Sequence, residues 1–121
     1  MHNPGFLKLV NEAKSRIKEI DIEGLKRLKQ SGERFRLIDV REESEWAAGH
    51  AAGAEHISKG VIERDIETKV PDKNEKLVLY CGGGFRSALA ADALQRMGYT
   101  NVYSLDGGWR AYVESGLPVE K

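Results

Sequence analysis

The chain has one cysteine, three prolines and two tryptophans in 121 residues, and nineteen basic residues are matched by nineteen acidic ones. A single cysteine excludes an internal disulfide. Neither it nor three scattered histidines offers the ligand spacing of a zinc site, so no metal or other cofactor is expected. Zero net charge without long blocks of either sign removes the electrostatic footprint of a chain whose main partner is nucleic acid or a membrane surface. The apolar runs are only a few residues long, far below the roughly twenty needed to cross a bilayer. The opening stretch lacks the apolar core and small-residue cleavage site of a secretory signal. A soluble chain in the reducing cytoplasm is therefore expected, and 40% hydrophobic content suffices at this length for one packed core.

What is present is a regular alternation of apolar patterns. Apolar residues at Phe6, Leu9, Val10, Ala13, Ile17 and Ile20 follow helical spacing. They predict an N-terminal amphipathic helix over residues 1–20, packed on a domain that spans 21–119. Asp21 caps a second helix through Leu25 and Leu28, which Gly32 ends. Residues 35–40 read as a strand, 42–48 as a short helix closed by Gly49, and 54–57 as a short strand. Residues 61–70 read as a helix stopped before Pro71, and 76–80 as an apolar strand. The clearest helix covers 87–97 and ends at Gly98, a last strand covers 101–105, and a short helix covers 109–114. Strands alternating with helices predict an α/β fold, with a mostly parallel central sheet of about five strands and helices on both faces. Ligands of such sheets bind beyond the carboxyl ends of the strands.

Cys81 lies at such an end. In Leu77-Val78-Leu79-Tyr80-Cys81-Gly82-Gly83-Gly84-Phe85-Arg86-Ser87, a strand pattern gives way to three glycines and then to a helix pattern. Glycines let a loop bring its N–H groups close to a ligand, and a helix start adds unpaired N–H groups and partial positive charge. With Arg86 nearby, that setting lowers a thiol from about 8.5 toward roughly 3.5–7.5. Packing alone does not call for three adjacent glycines, so Cys81 reads as a nucleophile rather than a buried small hydrophobe. The glycine run lacks the lysine and hydroxyl spacing of a nucleotide-binding loop.

Three segments in order resemble the rhodanese family of sulfurtransferases, in its small single-domain form. They are Asp39-Val40-Arg41-Glu42 with Glu45-Trp46, Gly49-His50, Gly53-Ala54 and His56-Ile57; then residues 80–87; then Tyr103-Ser104-Leu105-Asp106-Gly107-Gly108-Trp109. Ala51 departs from the branched apolar residue more usual there. The resemblance implies a rhodanese-like fold and a persulfide mechanism. Cys81 would be catalytic and would carry a sulfane sulfur from thiosulfate or a persulfide to a thiol or cyanide acceptor, without a general base. Gly82, Gly83, Gly84, Phe85, Arg86 and Ser87 would bind substrate, with their amides stabilising the thiolate and then the terminal sulfur as an oxyanion hole does. Cys81 and Arg86 enclose four residues, whereas the related phosphatases and arsenate reductases enclose five, and the shorter cradle favours sulfur over a tetrahedral oxyanion.

Asp39 and Arg41 are expected behind this loop. Asp39 would organise it by accepting amide or guanidinium hydrogen bonds, and Arg41 would either meet substrate at the rim or pair with Glu42, Glu43 or Glu45. Arg86 would either bind an anionic substrate or fix the loop through a carboxylate such as Asp39 or Glu42. His50 ties backbone together, and Trp46 and Trp109 anchor packing. Phe85 gives the pocket mouth an apolar rim beside little positive charge, which points to a protein or low-molecular-weight persulfide as donor. The alternatives are a sulfur-relay or redox-sensing module with little turnover of small donors, and phosphatase or arsenate-reductase chemistry.

Overall fold

A computed structural model describes residues 2–121. Its elements run α1 (Pro4–Lys14), β1 (Lys18–Ile20), α2 (Ile22–Ser31), β2 (Arg36–Asp39), α3 (Glu43–Ala48), β3 (His50–Ala51), β4 (Glu55–His56), α4 (Ile62–Lys69), β5 (Leu77–Tyr80), α5 (Phe85–Arg96), β6 (Val102–Leu105), α6 (Gly108–Glu114) and β7 (Val119–Glu120). Five strands form a sheet in the order β1-β6-β5-β2-β4, and every pairing in it is parallel. The other two strands, β3 and β7, pair antiparallel as a separate ribbon.

β5 is buried along its whole length, because a central parallel strand is covered on both faces. Its side chains alternate between two cores. Leu77, Leu79 and Cys81 face the cluster made with Ile62 and Ile66 of α4 and Ala90, Ala91 and Leu94 of α5. Val78 and Tyr80 face Leu25 and Leu28 of α2 and Tyr112 of α6. The strand's period of two thus carries past its last paired residue and turns Cys81 toward α5. β2 has β5 on one side and β4 on the other, so the chain reverses its direction of winding between β2 and β5. Cys81 and Arg41 follow these two strands, in the crevice where ligands of open α/β sheets bind.

The N-terminal helix expected to run to Ile20 is shorter. α1 ends at Lys14, and Lys18–Ile20 pairs with Tyr103–Leu105 as an edge strand. Its helical spacing is coincidental there: Ile17 and Ile20 each pack beside one of the two sheet cores. α1 buries Val10 and Ala13 and packs along α5. Arg16 clamps it by donating to both carboxylate oxygens of Asp92 at 3.0 and 2.8 Å, and the Gln95 side chain donates to the Arg16 carbonyl. The cap at Asp21 forms as expected, accepting from the Gly24 amide at 2.7 Å, and Gly32 closes α2 at φ 75°. α5 begins at Phe85, two residues ahead of the expected start, so the glycine loop runs directly into its first turn. Among the described residues no helix is long and apolar enough to cross a membrane.

Candidate active site

Cys81 is 1% exposed and sits at the floor of an open cavity of about 530 Å³. Its Sγ accepts hydrogen bonds from the amides of Gly84 at 3.2 Å and Ser87 at 3.3 Å, and lies 3.5 Å from the Ser87 hydroxyl. That hydroxyl is held by Ser104 on β6 at 2.8 Å, a contact with no local signal in the chain. Burial is the largest single influence on the thiol and pushes it up. The Ser87 hydroxyl and the amides of Ser87, Gly83 and Gly84 outweigh burial, and the net direction is down from the ordinary value. The thiolate's contribution to stability is complete above the ordinary thiol value and is lost as pH falls through the lowered one. The rate of iodoacetamide alkylation against pH should therefore show a midpoint below that of a free thiol. Ser87→Ala should move it upward, and an unchanged midpoint would contradict the hydroxyl's part.

The three glycines are unequal. Only Gly84, at φ 97°, needs the left-handed region, and a Cβ there would meet the Leu105 carbonyl at 3.1 Å. Gly83 faces open space, and a Cβ on Gly82 would touch only the end of the Arg86 side chain. The tightest glycine lies outside the loop. Gly108, at φ 50°, holds its Cα against the carbonyls of Cys81 and Gly82, while the amides of Trp109 and Arg110 donate to those carbonyls at 2.7 and 3.2 Å. The first turn of α6 thereby clamps the cysteine loop from behind.

Arg86 donates to Glu45 at 2.8 and 3.2 Å, so its carboxylate partner is neither Asp39 nor Glu42. Glu45 comes from α3, where one of its oxygens also accepts from the Glu42 amide. The hydrogen bond from Arg86 holds its carboxyl below the ordinary range, and Glu45 in turn raises Arg86. Arg86 still lines the cavity with Phe85 and Gly82, and Arg110, His2 and Phe6 complete the mouth.

Arg41 is corrected more strongly. It is 3% exposed and reaches neither the rim nor Glu42, Glu43 or Glu45. It forms a fork on Asp39, itself fully buried, with Nε at 3.0 and 3.1 Å and Nη2 at 2.8 Å, and Nη2 also donates to the Gly49 carbonyl. Asp39 spends its acceptors on Arg41, including that residue's amide at 2.9 Å, rather than on the loop amides. The pair reaches the loop through Trp109, whose ring lies 4.5 Å from the guanidinium. His50 and His56 stack on Trp46 at 3.4 and 5.0 Å and bond the carbonyls of Trp46 and Arg41, away from the sulfur.

An open α/β sheet with a cysteine just past a central strand, its sulfur accepting loop amides that lower the thiol, defines a domain whose candidate site lies at the carboxyl ends of the strands. The model of the rhodanese-like domain matches residues 21–115, and the chain belongs to that family. It is 39% identical over 70 residues to the thiosulfate sulfurtransferase PspE of Escherichia coli K12, covering 58% of this chain and 67% of PspE. It is 31% identical over 100 residues to YrkF of Bacillus subtilis, whose name assigns it provisionally as a sulfur carrier protein. That match covers 83% of this chain and 53% of YrkF, so the chain spans about half that relative's length. The fold is also similar to RPA3614 of Rhodopseudomonas palustris, a protein of unknown function described as a candidate tyrosine phosphatase. There the TM-score is 0.86 at 30% identity over 99% of this chain and 97% of the other.

Proposed function

We propose that the chain is a sulfurtransferase that moves a sulfane sulfur from thiosulfate or a persulfide to a thiol or cyanide acceptor through a Cys81 persulfide. The observation that carries this reading is the Cys81 sulfur at the cavity floor, accepting amide hydrogen bonds at 3.2 and 3.3 Å. The thiolate attacks the outer sulfur of the donor. A bond forms between Sγ and that sulfur, the donor's bond to it breaks, and sulfite or a thiolate leaves with the electron pair. The negative charge then rests on the terminal sulfur, one atom further into the cavity, within reach of the loop amides and the Arg86 charge. The hydrogen bonds that lower the thiol favour the attacking thiolate without a general base. In the second step cyanide or an acceptor thiolate attacks the terminal sulfur, the bond between the two sulfurs breaks, and Cys81 leaves as the thiolate with the electron pair. Residues 82–87 bind the transferred sulfur, and Asp39 and Arg41 position the loop from behind. The helix α1 is an addition packed on the domain, whose sheet starts at β1 (Lys18–Ile20), ahead of the expected boundary at residue 21. The reducing cytoplasm would keep such a thiol free to react.

Phosphate-ester chemistry fits less well, since the loop encloses only four residues between Cys81 and Arg86 and that guanidinium is engaged by Glu45. A second reading, a sulfur relay or redox sensor between proteins, is favoured by the aromatic mouth over a buried thiol.

Mass spectrometry of the intact chain after incubation with thiosulfate or a persulfide should show one added sulfur that cyanide removes, and Cys81→Ser should carry none. Steady cyanide-dependent turnover supports the enzyme, and loading without turnover supports the relay. No adduct with any donor, together with hydrolysis of p-nitrophenyl phosphate, would overturn both.

A further inference from the structure

Part of the cavity wall comes from outside the region matched by the family. The His2 ring lies 4.6 Å from Phe85, and Phe6 at the start of α1 lies 5.3 Å from His2 and 6.2 Å from Phe85. Lys14, near the other end of α1, places its ammonium 5.0 Å from the Phe85 ring centre. Phe6 and Phe85, with the His2 ring between them, form an aromatic wall of the cavity that Cys81 also lines. α1 holds Phe6 against Phe85 of α5 as a fixed element, since Val10 and Ala13 are buried and Arg16 is clamped on Asp92.

The charge in the cavity is sparse. Arg86 is engaged by Glu45, whereas Arg110, exposed at the mouth, has no carboxylate partner among the described residues. One apolar wall and one free guanidinium therefore flank the nucleophile. Thiosulfate carries two negative charges and no apolar surface, so it leaves the wall unused and asks for more positive charge than is on offer. A singly charged donor with an organic substituent uses both features: the substituent covers the aromatic wall and the anionic end faces Arg110.

We propose that the N-terminal segment forms a donor subsite, which selects singly charged organic sulfur donors with an alkyl or aryl group against Phe6 and Phe85 over inorganic thiosulfate. The inference rests on the sulfur-transfer reading above. With an aryl thiosulfonate, the Cys81 thiolate attacks the terminal sulfur and the bond from that sulfur to the sulfonyl sulfur breaks. The aryl sulfinate leaves with the electron pair, and Cys81 keeps the anionic persulfide, so charge and atoms balance.

Thiosulfate and benzenethiosulfonate make a matched pair of probes, differing by one oxyanion replaced with a phenyl ring. With cyanide as acceptor, the wild-type chain should show a kcat/KM at least about tenfold higher for benzenethiosulfonate. Phe6→Ala should lower the ratio of the two kcat/KM values about tenfold, the size of one lost aromatic contact with its buried area. Phe6→Leu, which keeps apolar surface, should retain most of the ratio. Phe6 is only half-buried, so these changes leave the anchors of α1 in place. A ratio that Phe6→Ala leaves unchanged, or a wild-type preference for thiosulfate, would overturn the subsite while leaving sulfur transfer standing. Failure of either donor to load Cys81 would instead overturn the sulfur-transfer reading, and the subsite with it.

Discussion

Arg41→Ala should destabilise the fold by about 3–5 kcal/mol, the cost of leaving one member of a buried ion pair unpaired. Asp39 is fully buried, and Arg41 supplies four of its hydrogen bonds, three from the guanidinium and one from the backbone amide. Alanine removes the guanidinium and leaves a carboxylate with no route to water. Against a total stability of about 5–15 kcal/mol, that loss brings the variant close to unfolding. The double variant Asp39→Leu, Arg41→Met should recover at least half of it, because removing both charges removes the desolvation penalty as well. Sulfur loading should not recover in parallel. The guanidinium also holds the Gly49 carbonyl and lies against Trp109, whose amide donates to the Cys81 carbonyl, so the brace behind the loop stays missing. Guanidinium-chloride unfolding of the three proteins checks this, and a loss below about 1 kcal/mol for Arg41→Ala would show that water reaches Asp39.

The place of Cys81 at the candidate site was legible because its signal is local. An apolar strand pattern, a glycine turn and a helix pattern within a dozen residues fix where Cys81 must lie in an α/β sheet, and the five-stranded parallel sheet around it agrees with that reading. The partners of the loop were less legible because they come from distant parts of the chain. Glu45 reaches Arg86 only because α3 leaves the end of β2 beside β5, and Ser104 reaches Ser87 because β6 is the next strand over. Neither distance in sequence carries a periodic signal. Arg41 was misjudged for a related reason: a charged residue after a strand usually faces solvent, and nothing local announces that its partner is the buried acid two positions earlier.

The edge strand β1 was missed because three residues are too few to show a period of two, and Ile17 and Ile20 fit the helical stripe equally well. β3 and β7, two residues each, are defined by their pairing rather than by composition. His2 and Phe6 raised no catalytic expectation, since their place at the cavity mouth depends on the packing of α1 along α5.

Gly108→Ala and Gly83→Ala should differ sharply, although the glycine-rich loop would make Gly83 look the more important. At Gly83 the backbone lies outside the left-handed region and a Cβ would enter open space, so alanine should change stability by no more than about 0.5 kcal/mol. At Gly108 two penalties coincide. The φ of 50° strains any residue with a side chain, by about 1–3 kcal/mol. A Cβ there would also press on the carbonyls of Cys81 and Gly82, lying 2.9 Å from the latter's carbon and oxygen, and forced overpacking costs a further 1–3 kcal/mol or so. Neither obstacle is a flexible side-chain end, so relief requires α6 and the cysteine loop to separate. That separation breaks the hydrogen bonds from the Trp109 and Arg110 amides and lets the loop drift from the geometry in which Gly84 and Ser87 face the sulfur. The expected result for Gly108→Ala is a loss of about 2–6 kcal/mol in denaturant unfolding, an alkylation midpoint for Cys81 shifted upward, and loss of sulfur loading. Equal stability of the two variants would mean that the clamp between α6 and the loop is loose, and that the strand end and α5 alone set the thiolate's environment.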